Sequence, residues 1–188
     1  MSRSFQARPV EGELLDRILR NAQRAPSAVF SQGWALLVPE GKEETAVFWD
    51  TTTDDAWRAD PTWPGLLRAP VIILPLAHKQ TYLTRYSEPD KAGLGLQDER
   101  RWPVPFWLVD TAFATMVMLL TAADAGLGVL FFGITRGEGE LLTALGVPGG
   151  YQPIGAVALG WPSHDDRRSP SLKRGRRPEH EIVHRGRW

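Results

Sequence analysis

The apolar residues of segment 11–24 (EGELLDRILRNAQR) fall at Leu14, Leu15, Ile18 and Leu19, the i, i+3/i+4 spacing of one helix face. Acids open this segment and arginines close it, which complements the helix dipole. Ala25-Pro26-Ser27 then stops it. Residues 34–38 (WALLV) predict a strand, and 71–76 (VIILPL), introduced by Pro70, a second and buried one. Between them, segment 50–65 carries Trp57 and Trp63 among acids and prolines. It reads as a loop or short helix lying over something else. Residues 79–85 predict a short helix and 87–103 a long loop.

The clearest pattern is 106–125 (FWLVDTAFATMVMLLTAADA), apolar around nearly its whole circumference, with Asp110 and Asp124 its only charges. A helix of that kind must be buried on all sides. One domain of this size rarely surrounds five helical turns, so a second subunit is expected to cover one face. Gly126 ends the helix, 127–132 (LGVLFF) predicts a strand, 138–145 a short helix and 153–159 a last strand. The Pro/Arg-rich remainder, 161–188, ends in Trp188 and is expected to pack on protein, on the partner subunit.

The 188 residues suit a single domain, 1–188, with its own core. Twenty-two basic residues balance twenty-two acidic ones, so no global field draws the chain to nucleic acid or membrane. Locally, 167–177 gathers six cations. The absence of cysteine excludes disulfides, thiolate metal sites and cysteine nucleophiles. The longest uncharged apolar run, 111–123, is well short of the roughly 20 residues of a membrane span. The start, Met-Ser-Arg-Ser-Phe, lacks an apolar signal core. A soluble, cytoplasmic protein is expected.

Four stretches in order carry a resemblance. Segment 24–34 (RAPSAVFSQGW) resembles the nitroreductase pattern in which a first helix ends in Ala-Pro-Ser and Gln-Pro-Trp opens the next strand. Arg68-Ala69-Pro70 precedes a buried strand, 122–128 (AADAGLG) leads from the central helix into another, and 154–162 (IGAVALGWP) runs towards the basic 173–178 (KRGRRP). Over essentially its whole length the chain resembles the nitroreductase family. That resemblance implies an α+β fold: a three-layer α/β/α sandwich with a central mixed sheet, in an intertwined homodimer. It implies one FMN in each of two interface sites. The implied activity is FMN-dependent NAD(P)H oxidoreduction, passing hydride by ping-pong exchange to a small flat acceptor: a nitroaromatic, quinone or enone. NADH or NADPH is the donor.

The resemblance also places the site. Arg174 and Arg176 stand where the family sets a basic pair on the phosphate, a task that suits the planar guanidinium fork; a solvated basic tail is the other reading. Ser27 and Gln32 occupy the turn that holds the ribityl chain and ring edge, or are a helix-end serine and a satisfied loop amide. Phe131, Phe132 and Gly133 match the strand end beside the ring, where backbone N–H groups meet N5 and O4 and glycine permits close approach. The two phenylalanines are equally readable as core. Aligned on Pro9-Val10, the family's opening Arg-x-Ser-x-Arg keeps Arg3 and Phe5, with Met1 at the serine. Phe30 replaces an asparagine, Gly33 a proline, and Met116-Val117 a polar pair. These departures leave open a deazaflavin-using enzyme, one that consumes flavin, or a weak flavin-binding protein without catalysis.

No nucleophile, metal or acid–base pair is required of such a protein. His180-Glu181-Ile182-Val183-His184 is a literal H-E-x-x-H, but only four residues follow it and a basic stretch precedes it. It is read as an incidental tail match, with no metal site.

Overall fold

Five strands make one sheet: β1 (Trp34–Leu37), β2 (Val71–His78), β3 (Gly128–Phe132), β4 (Tyr151–Pro153) and β5 (Ala156–Gly160). The computed structural model describes residues 1–91 and 93–188. The strand order is β1-β2-β5-β3, with β4 beside the C-terminal half of β2. Side chains alternate across the pleat with period two. On β2, Ile72, Leu74 and Leu76 enter one layer and Val71 and Ile73 the other. On β5, Ala156 and Ala158 match the first set, Val157 and Leu159 the second.

Every strand pair within the chain is antiparallel, where the resemblance implies a mixed sheet. β1 and β5 run in the same direction, but β2 lies between them. β5 likewise separates β2 from β3, so no two like-directed strands adjoin. From Leu76 to Ile73, β2 advances three residues, whereas its partner advances four, from Pro153 to Val157. The extra residue is a bulge at Gly155, whose φ is 144° and where a Cβ would lie 2.7 Å from the Phe132 carbonyl oxygen. Only glycine fits there.

Helices cover both faces. α1 (Gly12–Ala22) places Leu15, Ile18 and Ala22 against Met118 and Ala122 of α5 (Phe106–Asp124) and against the Val71/Ile73 face. On the other face lie α2 (Gly41–Thr52), through Phe48 and Trp49, and α6 (Glu138–Ala144), through Leu141. α3 (Asp55–Ala59) follows α2, and α4 (Lys79–Arg85) follows β2. α2 is absent from the sequence reading because few apolar residues mark it. Its buried set, Thr45, Phe48 and Trp49, shows the helical spacing only once Thr45 is counted inside. Segment 50–65 does lie over something: the Trp57 ring is nearly parallel to Trp49, 6.3 Å away.

By length and composition α5 would suffice to cross a bilayer, yet it lies against α1 and the sheet. Asp110, Thr111, Ala114, Met118 and Ala122 are buried. Within one chain it is not buried all round: Phe113, Met116 and Leu120 form an exposed stripe, Leu120 at 62%. The last element of the chain is the tail. None of residues 161–188 is buried; beyond the antiparallel bridge of Pro162 with Phe5, the tail holds the 3-10 turns Pro170–Arg174 and Glu179–Glu181.

Candidate active site

The turn from α1 into β1 has an unusual backbone. Ser27 is extended, with φ −141°, but Val29, Phe30 and Gln32 take φ of 44°, 58° and 52°, the left-handed region that non-glycine residues avoid. Several bonds hold it. The Gln32 N–H donates to Ser27 Oγ at 3.0 Å, and the Ala28 N–H donates to Asp110 Oδ2 on α5 at 2.8 Å. At the far end the His78 N–H donates to the Gly33 carbonyl at 2.8 Å. A Cβ on Gly33 would overlap the Tyr82 ring, so the proline the family sets there has no room. The Tyr82 hydroxyl donates to the same Asp110 oxygen at 2.9 Å. Burial, then the bond to Asp110, hold that hydroxyl well above the ordinary phenol range.

At the exit of β3 the two phenylalanines are half-buried and pack against the core from opposite faces. Phe132 meets Phe48 edge-on at 5.8 Å and lies parallel to Trp49 at 6.1 Å, and Phe131 packs in the opposite layer and against Gly155. The backbone beyond them is open: no atom lies within 4 Å of where a Gly133 Cβ would stand. A cavity of about 320 Å³ adjoins it, walled by Trp49, Trp57, Phe132 and Thr135. Arg136 pairs there with Asp54. The Trp57 N–H and then Arg136 hold the Asp54 carboxyl below the usual carboxylate range.

Arg3 lies beside the start of β3, at its other end, since the Ser2 N–H donates to the Val129 carbonyl. Its guanidinium sits over Trp63, 5.2 Å from the ring centre, and its N–H donates to Asp166. Next to it, Ser4 Oγ donates to Asp165 at 2.5 Å. Arg68 donates to Ser4 Oγ, to Asp165 and to the Phe5 carbonyl. Hydrogen bonds from Ser4, Ser163 and Arg68 hold the Asp165 carboxyl well below its ordinary range. Arg174 and Arg176 are exposed, without an ion pair among the described residues.

The sheet therefore sorts the sequence-predicted residues into separate groups. Ser27 and Gln32 precede β1, and Phe132 and Gly133 end β3, all at one end of the sheet. β1 and β3 are its outer strands, however, three strand spacings or about 14 Å apart. Arg3 and the root of the tail share a third place. A cavity of about 610 Å³ beside Val10, Trp49 and Val71 includes none of these residues. Sequence reasoning missed Ser4, Tyr82 and Asp110. The signal for Asp110 was present, as one of two charges in an apolar helix. His180 and Glu181 lie in a 3-10 turn and His184 lies outside any helix, so no α-helix sets the two histidines of H-E-x-x-H on one face. Among the described residues no group of three or more metal-ligating side chains converges.

Comparison with known proteins decides the kinship, since residues 1–161 match the model of the Nitroreductase family. The chain belongs to the nitroreductase family. Two archaeal relatives are provisionally named NADH dehydrogenase/NAD(P)H nitroreductase. The one from Methanothermobacter thermautotrophicus is 26% identical over 168 residues, 87% of this chain and 73% of that protein. The one from Archaeoglobus fulgidus is 24% identical over 196 residues, 99% and 92% of the two chains. Among solved structures, a nitroreductase family protein from Clostridium difficile 630 matches with TM-score 0.71 at 22% identity, covering 100% of this chain and 93% of that one. An FMN-dependent nitroreductase from Clostridium difficile R20291 matches with TM-score 0.66 at 19% identity, covering 100% and 94%. These likenesses establish the nitroreductase fold, and the family membership makes the chain an oxidoreductase.

Proposed function

We propose that this nitroreductase is a soluble, cytoplasmic, FMN-dependent NAD(P)H oxidoreductase that reduces a small flat acceptor, a nitroaromatic, quinone or enone. The observation that carries this reading is the exit of β3, where an open backbone at Gly133 adjoins an aromatic-walled cavity. A flavin ring needs close backbone approach and apolar walls, which the open position at Gly133 and the rings of Trp49, Trp57 and Phe132 can offer. Bound there, FMN supplies hydride transfer from a nicotinamide to the acceptor in two alternating half-reactions.

The chain's own residues bind, orient and exclude water. Arg174 and Arg176, without an ion pair among the described residues, supply guanidinium forks for the phosphate, with Arg3 beside the root of the tail that carries them. Ser27 and Gln32 supply polar groups to the ribityl chain. Because their turn and Gly133 lie on opposite outer strands, each complete site draws them from two copies of the chain. The exposed stripe Phe113-Met116-Leu120 on α5 supplies the apolar contact for that homodimer.

A second reading has one observation in its favour. Asp165 and Asp166 already take hydrogen bonds from Ser4 and from the Arg3 N–H, next to Met1 where relatives have the serine. This favours a weak flavin binder without catalysis. The visible spectrum of the purified protein separates the two. A stoichiometric flavin spectrum that bleaches anaerobically with NADH or NADPH supports the enzyme. A colourless protein that stays colourless after FMN addition sinks it.

A further inference from the structure

Asp110 is 2% exposed and has no ion-pair partner among the described residues. A buried carboxylate without a counter-charge is costly unless hydrogen bonds satisfy it, and leucine or alanine would serve the packing of α5 better. What Asp110 does hold is specific. Oδ2 accepts from the Ala28 N–H at 2.8 Å and from the Tyr82 hydroxyl at 2.9 Å. Ala28 is the first residue of the turn that contains the left-handed Val29, Phe30 and Gln32. Tyr82, itself fully buried, covers Gly33 at the other end of that turn with its ring edge. The two side chains thus pin both ends of a backbone that would otherwise relax, since each left-handed non-glycine residue is strained. From the pinned segment Phe30 projects into solvent, 75% exposed.

We propose that Asp110, acting with Tyr82, is a positioning residue that keeps the turn 27–33 in the one conformation able to present Ser27, Phe30 and Gln32 to the flavin. This rests on the flavin reading above. Asp110 touches neither cofactor nor substrate. It raises the fraction of molecules whose turn is ready to bind, and apparent affinity scales with that fraction.

The test compares Asp110→Ala, Asp110→Asn and Gly33→Ala with the unaltered protein, by fluorescence titration of FMN and of riboflavin and by hydrogen exchange at the Ala28 amide. Asp110→Ala is expected to weaken both flavins equally, by about tenfold or more, because a hydrogen bond to a charged acceptor is lost. Ala28 protection falls with it. Asp110→Asn keeps an acceptor oxygen and restores most of both. If Asp110→Ala does not fold, Gly33→Ala breaks the clamp from its outer end, by displacing the Tyr82 ring, and should weaken both flavins as well. Unchanged flavin affinity in a folded Asp110→Ala or Gly33→Ala protein overturns the proposal, even where the melting temperature falls. So does retained Ala28 protection in Asp110→Ala. If the unaltered protein binds neither flavin, the flavin reading falls and takes the presenting role with it. The Ala28 exchange then still reports whether Asp110 holds the turn.

Discussion

Along β2 every residue from Val71 to Ala77 is buried, whereas in the tail, residues 161–188, none is. Both segments carry apolar side chains. Ile72, Ile73 and Leu74 are sealed between the two helical layers, while Leu172, Ile182 and Trp188 stand in water, Trp188 at 97% exposure. The strand finds all its partners within its own chain; the tail does not. The outer stripe of α5 resembles the tail in this respect, and the inner face of the same helix resembles the strand. Where apolar surface lacks a partner inside the chain, burial against a second copy is the remaining source of hydrophobic stabilisation.

The widest contrast can be read in stability. Leu74→Ala, which hollows the layer formed with α2 and α6, should cost about 2–5 kcal/mol, measured as the shift in a urea midpoint. Trp188→Ala, assayed at protein concentrations too low for association, should leave that midpoint within about 0.5 kcal/mol. A comparable loss for Trp188→Ala would mean that the tail belongs to the core of its own chain.

The α5 stripe comes next. Leu120→Asp puts a charge into the expected contact, twice over in a symmetric pair, and should weaken dimerisation by at least about tenfold by area alone. The unfolding midpoint of the separated chain should barely move. Sedimentation of the unaltered protein as a stable monomer at micromolar concentration would break the comparison, because the stripe would then have no partner to lose.

The tail's cations give a more selective effect. Arg174→Ala or Arg176→Ala should remove a charge-assisted hydrogen bond of about 1.5–3 kcal/mol, which is roughly 10- to 150-fold in FMN affinity. Riboflavin, which lacks the phosphate, should bind as before. Equal losses for both ligands would show that these arginines act through folding instead.

How far the sequence revealed these regions follows the same division. β2, α1 and α5 were legible because burial within the chain imposes period-two and helical spacing on neighbouring residues. α2 was not, since Thr45 stands at one of its buried positions. The left-handed turn was invisible: no glycine marks Val29, Phe30 or Gln32, and what holds them is Asp110, 82 residues from Ala28. The separation of Ser27 and Gln32 from Gly133 was equally hidden, because a list of motifs carries no strand order. Phe131 and Phe132 were ambiguous for a simple reason. A ring at a strand end looks alike in sequence whether it faces a ligand or Trp49.

The smallest expected effect lies where the root of the tail is anchored to its own chain, at Ser4, Arg68 and Asp165. Asp165 has a depressed pKa in the folded protein, owed first to Ser4, then to Ser163 and Arg68. A carboxylate depressed by folding contributes stability above its unfolded pKa, about 3.9, and loses that contribution as pH falls through the folded value. Both members of the pair are substantially exposed, so solvent screens it and the effect is modest. Urea midpoints of the unaltered protein and of Asp165→Asn should therefore differ slightly and constantly from pH 7 down to about 5. They should draw together below about pH 4. Curves that coincide at pH 7 would show that the anchor contributes nothing. Curves that diverge as the pH falls would mean that Asp165 is favoured in its protonated form, which reverses the sign of the argument.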